Sequence, residues 1–258
     1  MIFRGFRDVW MSRPVVNPHA RIRLFCFPYA GGGASLYRAW SEGLPAEIEV
    51  CLVHLPGRES RLADQPFTHL PPLIDALGAA IQQYRDLPTA FFGYSMGALI
   101  SFELARYLRR ENGQVPACLF LAAHRAPHLP DPNPGLHCLS EEAFIDGLRR
   151  LGGTPPSVLG NVELIRLLLP MLRADFALCE SYTYSPEQPL ACPISVFGGL
   201  DDDRVSREDL AAWREQTRGH FLLRMLPGDH FFLHTAGDFL LQAVSRDIRR
   251  LLAQGANQ

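Results

Sequence analysis

Apolar, β-branched and aromatic residues gather in six short runs along the chain: Ile22–Phe27, Glu49–Leu55, Thr89–Tyr94, Cys118–Ala123, Ile194–Gly199 and Phe221–Leu226. Most of these runs are nearly continuous rather than alternating. A strand covered on both faces reads this way, so the pattern predicts parallel strands inside a sheet. Helical spacing fills the intervals. Apolar positions repeat at three and four over Pro71–Asp86, and a second helix is predicted over Gly97–Arg110, with Asn112-Gly113 as its C-terminal cap. Ser206-Arg-Glu-Asp209 has the capping-box pattern and opens a helix expected to reach Thr217; a last helix is expected over Thr235–Ala253. Strands alternating with helices in this order predict an α/β fold, an open and mostly parallel sheet with helices on both faces.

The alternation breaks once. Between Ala123 and Pro193 there is no strand pattern, only helical segments at Ser140–Leu151 and Asn161–Tyr182, separated by Gly152-Gly153-Thr-Pro-Pro156. The chain is therefore read as one domain over residues 1–258, with a helical lid inserted over residues 124–192 and covering the carboxyl edge of the sheet. The first dozen residues and Gly255–Gln258 are expected to fray.

A chain of 258 residues, 47% hydrophobic, can bury a full core. Its net charge of −2 speaks against a nucleic-acid footprint or a strongly charged membrane surface. No apolar run approaches the ~20 residues of a membrane span, and Met1–Arg13 carries Arg4, Arg7, Asp8 and Arg13 without an apolar signal core. A cytoplasmic location is expected. The cysteines at 26, 51, 118, 138, 179 and 192 form no C-x-x-C pair and are expected to be buried, reduced thiols. There is no lysine; all 25 basic residues are arginine. That excludes Schiff-base, Ser–Lys and P-loop chemistry and leaves arginine forks for anion recognition.

The chemistry concentrates at Thr89–Arg106, which reads as a strand, a Gly93-Tyr-Ser95-Met96-Gly97 turn and an amphipathic helix. A sharp turn in that context lifts a serine clear of the backbone, and glycines on either side let neighbouring chains pass closely. The pentapeptide alone is weak evidence; the flanking strand and helix give it weight. A serine nucleophile needs a base, and the base needs an orienting acid. The next strands end in Gly199-Leu-Asp201-Asp202-Asp203-Arg-Val205 and Leu226-Pro-Gly-Asp229-His230, so all three loops leave carboxyl ends of strands, where open α/β sheets place their ligands. His230 is the histidine in that position. His234 reads as a capping or surface residue, His124 and His128 as loop structure, and His19, His54, His69, His137 and His220 as structural or solvated. Counting back three from Val205, which re-enters the core, selects Asp202 among the three aspartates. The glycine-rich segment after the first strand is no dinucleotide fingerprint, because its third glycine would fall on Leu36. It can instead bring a backbone N–H beside the serine, completing an oxyanion hole with Met96 N–H.

With these residues in view, the chain resembles the type II (external, editing) thioesterases of non-ribosomal peptide and polyketide synthesis, members of the α/β-hydrolase superfamily. The resemblance rests on Phe27-Pro-Tyr-Ala30-Gly31-Gly32-Gly33-Ala-Ser35, Leu55-Pro-Gly-Arg58-Glu59-Ser-Arg61, the Ser95 turn, Leu169-Pro-Met171-Leu172-Arg-Ala-Asp175-Phe176 with Glu180 and Tyr182, and the Asp202 and His230 loops. It covers almost the whole length. One departure is the run of three aspartates where relatives often have Asp-Pro. The resemblance implies hydrolysis of acyl or aminoacyl thioesters on the phosphopantetheine arm of an acyl or peptidyl carrier protein, without a metal or redox cofactor; a monomer is the default expectation. Ser95 would be the nucleophile, His230 the base and Asp202 its orienting acid. The N–H groups of Ala30 and Met96 would hold the oxyanion, and Leu168, Met171, Leu172 and Phe176 would shape the acyl site under a moving lid. Arg58, Arg61 and Arg125 are the candidates for meeting the carrier's acidic surface and phosphate. A carboxylesterase or lipase of the same fold and a catalytically idle carrier-binding subunit are the alternatives.

Overall fold

Continuous apolar runs become interior strands because helices cover both of their faces. The computed structural model describes residues 9–131 and 135–255, and in it seven strands form one sheet in the order β1-β3-β2-β4-β5-β6-β7. The strands are β1 (Met11–Ser12), β2 (Ile22–Phe27), β3 (Ile48–Val53), β4 (Thr89–Tyr94), β5 (Cys118–Ala122), β6 (Ile194–Gly199) and β7 (Phe221–Leu226). Apart from β1, which runs antiparallel to β3, neighbouring strands are parallel. Successive side chains of a strand enter opposite cores. Phe25, Phe91, Leu119 and Val196 pack beneath α2 (Leu70–Ile81), α3 (Met96–Asn112) and Trp213. Leu24, Phe92, Phe120 and Phe197 pack against Trp40 of α1 (Trp40–Gly43) and against Leu240, Val244 and Ile248 of the C-terminal helix.

Between β5 and β6 the chain forms α4 (Glu141–Leu151), α5 (Pro156–Leu159) and α6 (Val162–Glu180). These helices have a small core of their own, built on Phe144, Leu148, Ile165, Leu169, Met171 and Leu172. Ser140 and Asn161 cap α4 and α6 through their side-chain oxygens. After β6 come α7 (Arg207–Ala211), α8 (Phe232–Thr235) and α9 (Gly237–Gly255). The capping box is complete, with Ser206 Oγ accepting from Asp209 N–H and Asp209 Oδ2 accepting from Ser206 N–H, each at 3.0 Å.

Several boundaries move. The helix expected over Pro71–Asp86 ends at Ile81 and tightens into a 3-10 turn at Gln82–Tyr84. The helix expected to reach Thr217 tightens likewise over Ala212–Gln216. The last helix is interrupted at Ala236, whose backbone (φ −120°, ψ 24°) leaves the helical region between α8 and α9. Of the ends expected to fray, residues 1–8 and 256–258 lie outside the described residues. Met11 and Ser12 do not fray: they pair with Val53 and Leu52, and His54 N–H donates to Trp10 O at 2.8 Å.

The order of the strands reverses at β2, whose partners β3 and β4 lie on opposite sides of it. Loops leaving the carboxyl ends of β2 and β4 therefore diverge and leave a crevice, the position at which such sheets bind ligands. Helix α3 follows β4 after a single residue, so its first turn presses onto the end of β2. A Cβ on Gly97 would lie 2.2 Å from Phe27 O, and one on Gly93 would lie 2.1 Å from Gly97 O. Both obstacles are backbone and cannot rotate away. Gly97→Ala is accordingly expected to cost at least about 1–3 kcal/mol, the range of core overpacking. Gly237→Ala, whose added Cβ meets nothing within 4 Å, should leave the urea midpoint nearly unchanged.

Candidate active site

Ser95 occupies the single residue between β4 and α3, with φ 51° and ψ −116°. A non-glycine residue enters this region only when its surroundings hold it there. Here Ser95 N–H donates to Ala122 O and Ala98 N–H donates to Ser95 O, both at 2.8 Å. The side chain rises above the carboxyl edge of the sheet, and its Oγ lies 3.4 Å from His230 Nε2. His230 Nδ1 lies 2.9 Å from Asp202 Oδ2. A carboxylate at Nδ1 keeps the ring proton there and turns the Nε2 lone pair towards the serine.

The three adjacent aspartates differ sharply. The Asp202 side chain is wholly buried and faces His230, the Asp203 side chain is 93% exposed, and Asp201 is exposed. Asp202 Oδ1 accepts the N–H groups of Arg204 (2.9 Å) and Val205 (3.3 Å). Burial pushes this carboxyl upward, but the hydrogen bond and charge of His230 together with the two backbone donors outweigh it and hold the group below its ordinary range. The acid and base loops are also tied to each other, through Leu200 N–H to Leu226 O (2.8 Å) and Asp201 N–H to Gly228 O (3.0 Å).

Tyr94, the residue before the serine, has a role that sequence reasoning missed. Its hydroxyl donates to His230 O at 2.6 Å and accepts Leu233 N–H at 3.3 Å, fixing the backbone that carries the histidine. The available signal was a phenol at a buried strand position, where the O–H needs a partner. His234 does not reach Ser95; its Nε2 meets Tyr29 OH at 3.1 Å. His124 is held neutral, its pKa lowered to about 4 by burial.

Met96 is the first residue of α3, so its N–H has no partner inside the helix. Among the described residues, neither that N–H nor the N–H of Ala30 is engaged. The next N–H along the loop, Gly31, donates to Asp175 Oδ2 at 2.7 Å. Asp175 belongs to α6, and Arg58 grips it with both guanidinium nitrogens (2.8 and 2.6 Å) while donating to Gly32 O at 3.0 Å. Both side chains are buried. Leu172 of the same helix occupies the space beside Gly31, and Met171 that beside Gly57.

A cavity of about 530 Å³ opens next to this latch, with Tyr29, Gly31, Leu36, Leu168, Met171 and Phe231 in its walls. Ser95 and His230 do not themselves line it; Phe231, whose ring lies 5.3 Å from the His230 ring, does. Of the four α6 residues expected at the acyl site, Leu168 and Met171 face this space. Leu172 does not, because it packs on Gly31; Phe176 does not, because it lies edge-on to Phe144 at 5.6 Å inside the helical cap. The three candidate docking arginines are also engaged internally. Arg58 is sealed against Asp175; Arg61 pairs with Asp64 (2.7 Å) and stacks on Trp10 (4.1 Å); Arg125 pairs with Asp131 (2.7 Å). The cysteines are all unpaired; Cys26, Cys51, Cys118 and Cys192 are buried, Cys179 is half-buried, and Cys138 is exposed on a surface turn of the cap.

The thioesterase-domain family matches residues 22–252. The chain is 46% identical to the gramicidin S biosynthesis protein GrsT of Aneurinibacillus migulanus, over 98% of this chain and 99% of GrsT. It is 37% identical to the thioesterase PikA5 of Streptomyces venezuelae, over 88% of this chain and 80% of PikA5. The solved structure of BorB, a type II thioesterase from the borrelidin biosynthetic cluster, superposes with a TM-score of 0.84 at 35% identity, covering 93% of this chain and 97% of BorB.

Two outcomes follow from the charges buried here. The Asp202 carboxyl has a lower pKa folded than unfolded, so its contribution to stability is complete above the unfolded pKa of about 3.9 and is lost as the pH falls through the folded value. The difference in urea midpoint between wild type and Asp202→Asn should therefore hold steady near neutrality and shrink below about pH 4. Asp175→Ala would strand the Arg58 charge in the interior and should cost about 3–5 kcal/mol in chemical denaturation. Combining Arg58→Met with Asp175→Leu should recover most of that loss.

Proposed function

This chain belongs to the thioesterase family, and from that premise we propose that Ser95, His230 and Asp202 carry out thioester hydrolysis on phosphopantetheine-bound acyl or aminoacyl groups. The protein is a type II thioesterase of the kind that serves non-ribosomal peptide and polyketide synthesis. One observation carries the assignment of residues: the unbroken line from Ser95 Oγ through the His230 ring to the buried Asp202 carboxylate.

In the proposed reaction Ser95 Oγ attacks the thioester carbonyl carbon while His230 Nε2 takes its proton. The 3.4 Å separation is long for this transfer, as such contacts often are before substrate binds. Asp202 steadies the imidazolium. The N–H groups of Met96 and Ala30 receive the developing oxyanion, at the positive end of α3. Collapse breaks the carbon–sulfur bond, and the departing thiolate takes the proton back from His230. A water molecule then attacks the acyl-serine carbonyl, giving up its proton to the same nitrogen. The bond between the carbonyl carbon and Ser95 Oγ breaks, Oγ takes the proton back from His230, and the free acid departs, the unblocked carrier having already left with its thiol. Nothing in these steps calls on a metal or a redox group.

The partner in this reading is an acyl or peptidyl carrier protein, which presents its arm at the crevice between the loops after β2 and β4. Leu168 and Met171 form the apolar side of the neighbouring cavity, which in this reading an acyl chain on Ser95 reaches past Phe231. The reading also takes the enzyme to act as a cytoplasmic monomer. No helix among the described residues is long and apolar enough to cross a membrane.

Ser95→Ala and His230→Ala should each reduce turnover on a carrier-bound thioester by on the order of 10⁶. His234→Ala should change it only slightly, because that ring pairs with Tyr29. Asp202→Asn is expected to lose roughly 10⁴ through the wrong imidazole tautomer, with Asp201→Asn and Asp203→Asn close to wild type. Running the same enzyme on matched oxygen esters separates the readings: faster turnover there would make it an ordinary esterase, and inactivity on both would leave a carrier-binding subunit.

A further inference from the structure

The turn that precedes α4 in the helical cap holds a second alignment of nucleophile, base and acid, outside the Ser95 site. The chain reverses over residues 136–139, where Leu139 N–H donates to Leu136 O at 3.0 Å. Cys138 Sγ thereby comes to 3.0 Å from His137 Nε2. The other nitrogen of the ring, Nδ1, is hydrogen-bonded to Glu180 Oε2. The same carboxylate accepts the backbone N–H groups of Leu136 (2.7 Å) and His137 (3.0 Å). Arg173 holds the turn as well, donating to His137 O and Leu139 O at 2.8 Å each. Glu180 and Arg173 both belong to α6, so the imidazole is fixed to a helix and does not swing freely in solvent.

The order of partners decides the chemistry. A carboxylate at Nδ1 keeps the ring proton on that nitrogen, so the Nε2 lone pair faces the thiol and can take its proton. Cys138 is also exposed, whereas Cys26, Cys51, Cys118 and Cys192 are buried, and burial pushes the Cys179 thiol far above its ordinary value. Accessibility and an adjacent base coincide at this cysteine.

We propose that Cys138 is a covalent modification site, a nucleophilic thiol that exchanges with low-molecular-weight disulfides. His137 Nε2 removes the thiol proton as the sulfur attacks one sulfur of the disulfide. A new sulfur–sulfur bond forms at Cys138 and the original one breaks. The second sulfur leaves as a thiolate and takes the proton from His137. Cys138 is oxidised to a mixed disulfide and the leaving sulfur is reduced to a thiol, so no other oxidant is required. The less eventful account is that Glu180 and His137 only staple the turn to α6 and that the sulfur lies nearby by sequence adjacency. In that account Cys138 reacts as any exposed thiol does.

The two accounts separate in a labelling experiment on the full chain with limiting dithiodipyridine, a neutral disulfide. Release of the pyridinethione gives the rate, and peptide mass mapping gives the site. The first adduct is expected at Cys138, forming roughly tenfold faster in the folded protein than at the same cysteine in the urea-unfolded chain. This comparison needs no variant. His137→Asn, checked for an unchanged circular dichroism spectrum, should slow the Cys138 adduct by about the same factor. A folded-state rate at Cys138 no higher than the unfolded one, or a first adduct at another cysteine, would overturn the proposal.

Discussion

The reversal of the chain at Ser95 is the constraint on which the rest of the site depends. A strand and a helix that meet through one residue must turn within the width of a backbone, and this brings α3 against the end of β2 with no room for a Cβ at Gly97. The strained serine backbone (φ 51°) is tolerated because sheet and helix are each anchored by extensive cores on either side of it. The same geometry leaves the first N–H of α3 without a partner inside the helix, at the end of β4 beside the crevice where the strand order reverses. Position of the Ser95 side chain, polarity of the helix end and access for a ligand thus have a common origin in one tight turn.

Around that turn, buried polar groups are connected so that each has a defined partner. The Asp202 carboxylate meets His230 through one oxygen and accepts two N–H groups of its own loop through the other. Tyr94 holds the base loop from the opposite side through His230 O. The imidazole is therefore fixed by its ring and by its backbone, through residues on three different strand ends. Buried polar networks confer this kind of uniqueness only when every member is satisfied.

The cap is joined to this arrangement more firmly than an inserted lid need be. Moving an ion pair from water to the interior is costly, and the Arg58–Asp175 pair is offset by bidentate geometry and by two further bonds to Gly31 and Gly32. Those bonds fasten the middle of α6 to the loop that carries Ala30. At this point α6 is held against that loop by four hydrogen bonds. The apolar side chains beside the latch divide accordingly: Met171 and Leu168 face the cavity, while Leu172 fills the gap over Gly31.

Features set by neighbouring residues were legible in the sequence. Continuous apolar runs marked the interior strands, the Ser206–Asp209 spacing marked a capping box, and Gly113 marked the end of α3. The alignment of Asp202 rather than Asp201 or Asp203 with His230 was also accessible, because the turn that buries it is completed within three residues by Val205. The strand order came only from the structure, and β1 escaped notice because a two-residue edge pairing leaves no periodicity to detect. What only the tertiary structure decided are contacts between residues far apart in the chain. Tyr94 and His230 are separated by 136 positions, and Arg58 and Asp175 by 117. Nothing at either end of such a pair announces the other, so an arginine suited to a phosphate proves to be the buried counter-ion of the cap. The faces of α6 were ambiguous for the same reason: its apolar positions are similar in kind, and only the elements packed against each one determine which becomes core and which lines the cavity.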